Sequence, residues 1–369
     1  MQNPRILVAP LDWGLGHATR CIPIVNELIR RDCEVWIAGE GQVAAMLQKE
    51  LPEARLLPLR GYRIFYHNTM QKFAPTIIKQ LPKITGVIRY EHRWLKQLLR
   101  ERHFDAVISD NRYGLWSRDT ISVIITHQIN ILSGLGPAID NILRSISHRF
   151  IRRFSECWIP DVEGENNIAG MLSHGSRLPR NTRYIGMLSR MKNLPTAGVY
   201  DIAIVLSGPE PRRTIWEKAL LSMLQSFTGR VLLVRGLPAS AEQLPNINGI
   251  TIVNHLSAAE LNIAIQSAEW VICRCGYSSV MDLLRLKHKA ILVPTPGQTE
   301  QEYLAAYLHS KGVFFAVKED IFSPEKHLRE AASFPYDFNG VYEDDHILQE
   351  QVDRLLHAIR KKRQGAVRL

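Results

Sequence analysis

Asp201-Ile202-Ala203-Ile204-Val205-Leu206-Ser207-Gly208-Pro209-Glu210-Pro211-Arg212-Arg213-Thr214 decides the fold, because it starts a strand-to-helix pattern for the second time in the chain. A β-branched run ends in a turn of small residues, and Pro211 suits a first helical turn, where its missing N–H costs nothing. The chain opens in the same way, with Ile6-Leu7-Val8-Ala9 leading into Gly14-Leu15-Gly16-His17-Ala18-Thr19-Arg20. Outward from Asp201, further strands are predicted at Val231 to Val234, Ile250 to Val253, Trp270 to Cys273 and Ala290 to Val293. Outward from Ile6 they are predicted at Glu34 to Ala38, Ala106 to Ser109, Ser122 to Thr126 and Cys157 to Pro160. Apolar-periodic stretches such as Ala18 to Arg31 and Ile77 to Arg102 read as helices between them. Such alternation predicts a parallel sheet with helices on both faces, and its repetition predicts two doubly wound, Rossmann-like α/β domains. Met187 to Ala197 lacks a period and contains Pro195, as a linker does. The expected domains are 1–190 and 198–345, followed at 346–369 by a helix and a basic tail ending in Arg360-Lys361-Lys362-Arg363.

Composition narrows the function. The chain has 369 residues, 46% hydrophobic and 22% charged, which excludes disorder as the main state. Five cysteines, odd in number, point to a reducing compartment, and Cys273 and Cys275 have no second pair at zinc-ligand spacing. No apolar run reaches the ~18 residues of a membrane span, and Ile6 to Ala9 is too short for a signal-peptide core. A cytoplasmic protein is expected, soluble or held peripherally at the inner face of the membrane. The net charge of +10 favours anionic partners, namely phosphorylated substrates, nucleic acid or acidic lipid. No nucleic-acid-binding module is recognisable, so no nucleic-acid partner is expected. Ten Lys or Arg lie between Arg60 and His103 against Glu91 and Glu101, interleaved with Tyr62, Phe65, Tyr66, Phe73, Tyr90 and Trp94. Arg144, Arg149, Arg152 and Arg153, with Phe150 and Phe154, make a second cluster. Both suit an anionic membrane surface, and both equally suit solvated helix faces packed by their aromatics.

Four loops carry the chemistry. Gly14 and Gly16 let the backbone turn sharply into a helix start, and His17 stands there at the carboxyl edge of the sheet, placed as a general base or as a water-exposed cap. A dinucleotide fingerprint would need glycine at Thr19, with Glu40 as its ribose-binding acid. In the second loop Ser207, Gly208 and Arg212 or Arg213 offer a turn and a cation for a phosphate. The third, Cys273-Arg274-Cys275-Gly276-Tyr277-Ser278-Ser279-Val280-Met281-Asp282, ends a strand and opens a helix. Its amides from Gly276 to Ser279 suit a diphosphate, and Asp282, one turn on, suits either a ribose or the helix dipole. The fourth, Val293 to Tyr303, crowds Gln298, Gln301 and Glu302 at a helix start, for sugar hydroxyls or for plain capping.

Together these residues resemble the inverting, two-Rossmann-domain (GT-B) glycosyltransferases of family 28, and most of all their peptidoglycan N-acetylglucosaminyltransferase type. Cys273 to Ala306 resembles the donor-binding segment of that family, Gly14-x-Gly16-His17 its N-terminal glycine loop, and Thr126-His127-Gln128-Ile129-Asn130 its acceptor-side stretch. Asp282 stands for a glutamate of the family, Glu302 for a glutamine, Ala305 for an asparagine and Gln128 for a glutamate. The resemblance implies a cleft between two domains and transfer of a hexose, N-acetylglucosamine among them, from a UDP-sugar to an acceptor hydroxyl that is glycan or lipid-linked.

In that scheme His17 takes the hydroxyl proton. Gly14, Gly16, Asp110, Asn111, His127, Gln128 and Asn130 serve the acceptor. Ser207, Gly208, Arg212, His255, Leu256, Arg274, Gly276, Tyr277, Ser278, Ser279, Asp282, Gln298, Gln301 and Glu302 serve the donor. No cofactor and no metal are expected, since Glu343-Asp344-Asp345 lies away from the strand-to-loop edges. The competing readings are a nucleotide-sugar epimerase or hydrolase of the same fold, and a non-catalytic nucleotide-sugar binding protein.

Overall fold

The computed structural model describes residues 3–63, 81–175, 177–247, 249–340 and 346–366. The chain divides into two compact units, the first holding the described residues of 1–64, 77–188 and 342–369 and the second those of 189–341. In the first, β1 (Arg5–Ala9), β2 (Glu34–Gly39), β3 (Arg55–Pro58), β4 (Ala106–Asp110), β5 (Ile121–Ile125), β6 (Glu156–Ile159) and β7 (Thr182–Tyr184) form one parallel sheet in the order β3-β2-β1-β4-β5-β6-β7. Val8 lies in register between Ile37 and Ile108. Leu7 and Ala9 face a cluster with Trp36, Phe104, Leu95 and Leu98, while Ile6 and Val8 are equally buried on the opposite side of the pleat. Burial on both faces is why the strand reads as a continuous apolar run rather than an alternating one. Helices α1 (Leu15–Ile29), α2 (Gly41–Glu50), α3 (Leu81–Glu101) and α4 (Pro137–Ile151) belong to this unit.

The second sheet runs β10-β9-β8-β11-β12-β13, also all parallel, from β8 (Tyr200–Val205), β9 (Val231–Val234), β10 (Ile250–Val253), β11 (Ala268–Cys273), β12 (Ala290–Leu292) and β13 (Phe315–Ala316). Its helices are α5 (Arg212–Met223), α6 (Ala258–Gln266), α7 (Tyr277–Leu286), α8 (Thr299–Ser310) and α9 (Pro324–Ala332). Ile202 and Ile204 pack with Trp216 and Leu220 of α5, whereas Leu232 and Val234 pack with Ala264 of α6. Ser257 and Glu260 form a complete capping box that starts α6.

Three strands escape the sequence reading: β3, β7 and β13. Each is an outer strand of its sheet, short and partly exposed, so it needs no apolar run to be stable where it sits. The expected linker has no regular structure, and the division between units falls between Leu188 and Ser189. Beyond that point the segment lies along α6: Asn262 Nδ2 donates to the Lys192 carbonyl (2.9 Å), and the Leu194 amide and Thr196 hydroxyl bond Gln266 (2.9 Å each).

The last helix, α10 (His346–Ala366), returns to the first unit through Asp353, which meets Arg31 at 2.7 Å, and Arg363, which meets Asp105 at 2.6 Å. The basic run lies within this helix: Arg363 docks on Asp105 and Lys362 Nζ donates to the Asp119 carbonyl, while Arg360, Lys361 and Lys362 stay exposed. The aromatics interleaved in the 60–103 cluster turn inward where they are described: Tyr62 is buried, and Tyr90 and Trp94 pack against the Leu95 and Leu98 core. Phe65, Tyr66, Phe73 and Glu343-Asp344-Asp345 lie outside the described residues.

Both sheets reverse their strand order once, between β1 and β4 in the first unit and between β8 and β11 in the second. The loops leaving the carboxyl ends of those strands diverge there and leave a crevice, which is where open α/β sheets bind ligands. All four chemistry-bearing loops leave the carboxyl ends of strands of these two sheets.

Candidate active site

At the β1/β4 reversal, Gly14 adopts a left-handed φ of +80° and precedes α1, which carries neither an acidic residue in its first turn nor a side-chain cap. His17 lies in that first turn, with its side chain 15% exposed. Its Nδ1 is 3.1 Å from Oδ2 of Asp110, the last residue of β4, whose side chain is fully buried. One turn along α1, Arg20 grips the same carboxylate with both Nε (2.7 Å) and Nη2. Arg20 also sends Nη2 to Nδ1 of His17 and Nη1 to Nδ1 of His127, each at 2.8 Å.

Only one contact to His17 Nδ1 can be satisfied at a time. Nδ1 either donates to Asp110, leaving a lone pair at Nε2, or accepts from Arg20, leaving the proton at Nε2. Burial lowers the His17 pKa, Asp110 works against this, and Arg20 and His127 add to it, so the net displacement is downward from 6.5. Burial alone would raise Asp110, yet Arg20 and His17 outweigh it and hold the carboxylate below its ordinary range. A neutral, partly exposed imidazole backed by a buried carboxylate is equipped to accept a proton.

Of the expected acceptor-side residues, the structure brings Asp110 and His127 to His17, both buried. Asn111, next in chain, has φ +54° and donates its amide to the Ile125 carbonyl. Gln128 is partly buried beside Thr126, whose hydroxyl accepts its amide (3.1 Å). Asn130 is otherwise engaged, since its Nδ2 donates to the carbonyls of Met171 (2.7 Å) and His174 (2.9 Å) and stitches two loops together. Glu40 is not placed for a ribose either. It pairs with Arg63 at 2.7 Å and accepts from the Gly61 amide, and the Arg63 hydrogen bond above all pulls its pKa to about 2.

Arg20 was not singled out in the sequence. The signal was there: an arginine one helical turn from His17, on a stretch whose neighbours Cys21, Ile24 and Val25 are all core residues.

At the β8/β11 reversal, Gly208 takes φ +107° and Arg212, partly exposed, opens α5. Arg213 is committed elsewhere, buried between Glu210 (2.6 Å) and Glu217. Helix α7 begins after Gly276 with no side-chain cap and no acid in its first turn, so no carboxylate of its own first turn offsets the positive end of its dipole. Tyr277 is buried, and Ser278 and Ser279 are partly exposed.

Arg274 and Asp282 are both engaged within the chain. The Arg274 guanidinium is in the core, paired with Glu319 at 2.5 Å and lying 4.9 Å from the Trp216 ring, because a buried cation needs a counter-charge, and meeting a phosphate requires it to leave that pair. Asp282 is held by its own chain, accepting from the Ser189 hydroxyl (2.6 Å) and from the Arg190 backbone. Burial raises its pKa, against the pull of Arg190 and Ser189. A two-pronged grip on a ribose requires Ser189 to let go.

Gln301 and Glu302 also turn back on their loop, accepting the amides of Thr295 (2.9 Å) and Gly297 (2.8 Å). They shape the β12–α8 turn that carries Gln298, which remains partly exposed. His255 and Leu256 precede the α6 capping box, with Leu256 packed on the Leu232 and Val234 cluster. Among the described residues, no group of three or more His, Cys, Asp or Glu is arranged to hold a metal ion.

The chain is similar to known proteins over both units. Residues 238–332 match the family described as the glycosyltransferase family 28 C-terminal domain. An uncharacterized glycosyltransferase of Methanosarcina acetivorans is 23% identical over 339 residues, 84% of either chain. The glycotransferase of kitacinnamycin superposes with a TM-score of 0.66 at 13% identity, covering 96% of this chain and 100% of its own. CalG4, the calicheamicin glycosyltransferase, gives 0.62 at 12% identity over 98% and 99% of the two chains. The glycosyltransferase VinC, solved in complex with DTDP, gives 0.58 at 14% over 97% and 100%. Residues 238–332 thus resemble a glycosyltransferase family 28 C-terminal domain, in a chain of two α/β units that has the GT-B fold of solved glycosyltransferases.

Proposed function

We propose that the chain is an inverting glycosyltransferase that moves a hexose from a UDP-sugar to an acceptor hydroxyl. The observation that carries this reading is His17, neutral, partly exposed and backed by Asp110 at the β1/β4 reversal. A hydroxyl brought to Nε2 gives up its proton as it attacks the anomeric carbon from the face opposite the diphosphate, so one displacement inverts that centre. The departing diphosphate is stabilised by the α7 amides and by Arg212, which supply fixed positive charge without requiring a divalent cation. The nucleoside lies near His255 and Leu256, and the sugar meets the Gln298 loop.

The donor is tested with a panel of UDP-, GDP- and TDP-sugars, N-acetylglucosamine included, in thermal-shift experiments. Ligands that bind the folded state raise its stability, so UDP-sugars are expected to give the largest upward shift. Equal silence from the whole panel contradicts the reading.

For the acceptor, α4 supports a lipid-linked substrate at an anionic membrane surface. Ile139, Ile142 and Ile146 repeat on one face of α4 and are 37%, 59% and 50% exposed, and the exposed Arg149, Arg152 and Arg153 follow at its end. An apolar stripe flanked by arginines suits acidic headgroups over a hydrocarbon boundary. The protein is expected to sediment with vesicles containing acidic lipid, less so at high salt, and Ile142→Glu with Ile146→Glu should abolish this. Equal sedimentation of the double variant removes α4 from the role. Among the described residues no helix is long and apolar enough to cross a membrane.

A further inference from the structure

The cluster behind His17 contains a buried cation, Arg20, that takes no direct part in the transfer reaction. Arg20 is 2% exposed, and its guanidinium is shared among Asp110, His17 and His127. From α1 the groups facing His17 are Arg20 and, at 3.8 Å from Asp110, Cys21; from the end of β4 there is Asp110; from the loop after β5 there is His127. Asp110 therefore has two cationic candidates for its single negative charge, Arg20 and a protonated His17.

We propose that Arg20 is a positioning residue for the transfer: by neutralising Asp110 itself, it frees His17 to remain an uncharged imidazole that can take up a proton. This rests on His17 being the base, but concerns what keeps it ready. A buried carboxylate without a partner is strongly disfavoured. If the Arg20 charge is removed, Asp110 recruits the nearest proton acceptor, which is His17 at 3.1 Å. The imidazole then becomes an imidazolium, and its base form exists only at higher pH. With Arg20 in place, two N–H arms satisfy both carboxylate oxygens, and a second cation beside the guanidinium is repelled. The proton that His17 accepts during transfer then meets the already neutralised Asp110, which orients the ring through Nδ1 without having captured it beforehand.

The test is an NMR titration of the whole protein with ¹³C,¹⁵N-histidine, His17 being assigned by loss of its signal in His17→Gln. In the wild type the His17 midpoint is expected below the ordinary imidazole value. Arg20→Gln should raise it by at least about one pH unit, a tenfold or greater change in the proton affinity. Arg20→Lys, which keeps the charge, should return it close to the wild type. An unchanged midpoint in folded Arg20→Gln overturns the proposal, and so does an equal rise in Arg20→Lys, since charge would then not be the cause. If Arg20→Gln does not fold, Arg20→Met takes its place: the same rise of at least about one pH unit is expected, and an unchanged midpoint overturns the proposal. Because the readout is the titration of one imidazole, it fails separately from the base assignment, which transfer by a His17 variant tests.

Discussion

His17→Ala should lower the rate of transfer by ~10²–10⁴, the usual contribution of a positioned general base, while leaving UDP affinity unchanged. The separation is expected because His17 sits at the β1/β4 reversal of the first unit, whereas the α7 start assigned to the diphosphate belongs to the second. The pH profile carries a sign as well. A base works only when unprotonated, and burial lowers His17 beneath 6.5 even though Asp110 opposes it. Transfer should therefore persist through neutral pH and fall only below the ordinary histidine range. In the variant this acid limb should disappear along with most of the rate. Initial rates and UDP titrations of the two proteins check both points, and unchanged turnover removes His17 from the base role.

The second large effect is on stability. Arg112 and Glu91 form an ion pair whose side chains are both fully buried, with Nε 2.8 Å from Oε1. Tyr62 and the Gly114 amide donate to the other carboxylate oxygen at 3.1 and 3.0 Å, and Arg112 Nη1 reaches the Pro10 carbonyl. One pair thus ties α3, the loop after β4 and the segment that leads from β1 toward His17. Arg112→Met leaves a buried carboxylate without its cation and should cost the first unit ~3–5 kcal/mol. Replacing both partners, Arg112→Met with Glu91→Met, removes the stranded charge and should recover much of that loss. Denaturant unfolding of the three proteins measures it. A double variant as unstable as the single one would mean that shape, rather than charge, dominates at this position.

What could be read in advance divides along physical lines. Central strands such as β1, β4 and β8 are buried on both faces, and their apolar runs announce them; β3, β7 and β13 lie at sheet edges and leave no such mark. Gly14, His17 and Gly276 are legible because a turn and a helix start constrain residue type directly. Side-chain commitments are not. Nothing in the spacing of Arg274 reveals Glu319 opposite it, nor does Asp282 announce Ser189, which lies 93 residues away in the chain. Arg20 stands among apolar helix positions, but its partner is fixed only when a strand pairing across the sheet brings Asp110 beside it. Gln301 and Glu302 have the chemistry to read a sugar, and the loop amides of Thr295 and Gly297 claim them first.

The reaction itself is most directly examined by following UDP-sugar consumption with NMR of the anomeric proton, in the presence and absence of hydroxyl acceptors. The expected result is acceptor-dependent release of UDP and a product whose anomeric centre has the opposite configuration to the donor. Retention of configuration, or consumption of UDP-sugar at the same rate with no acceptor present, would contradict a single displacement assisted by His17.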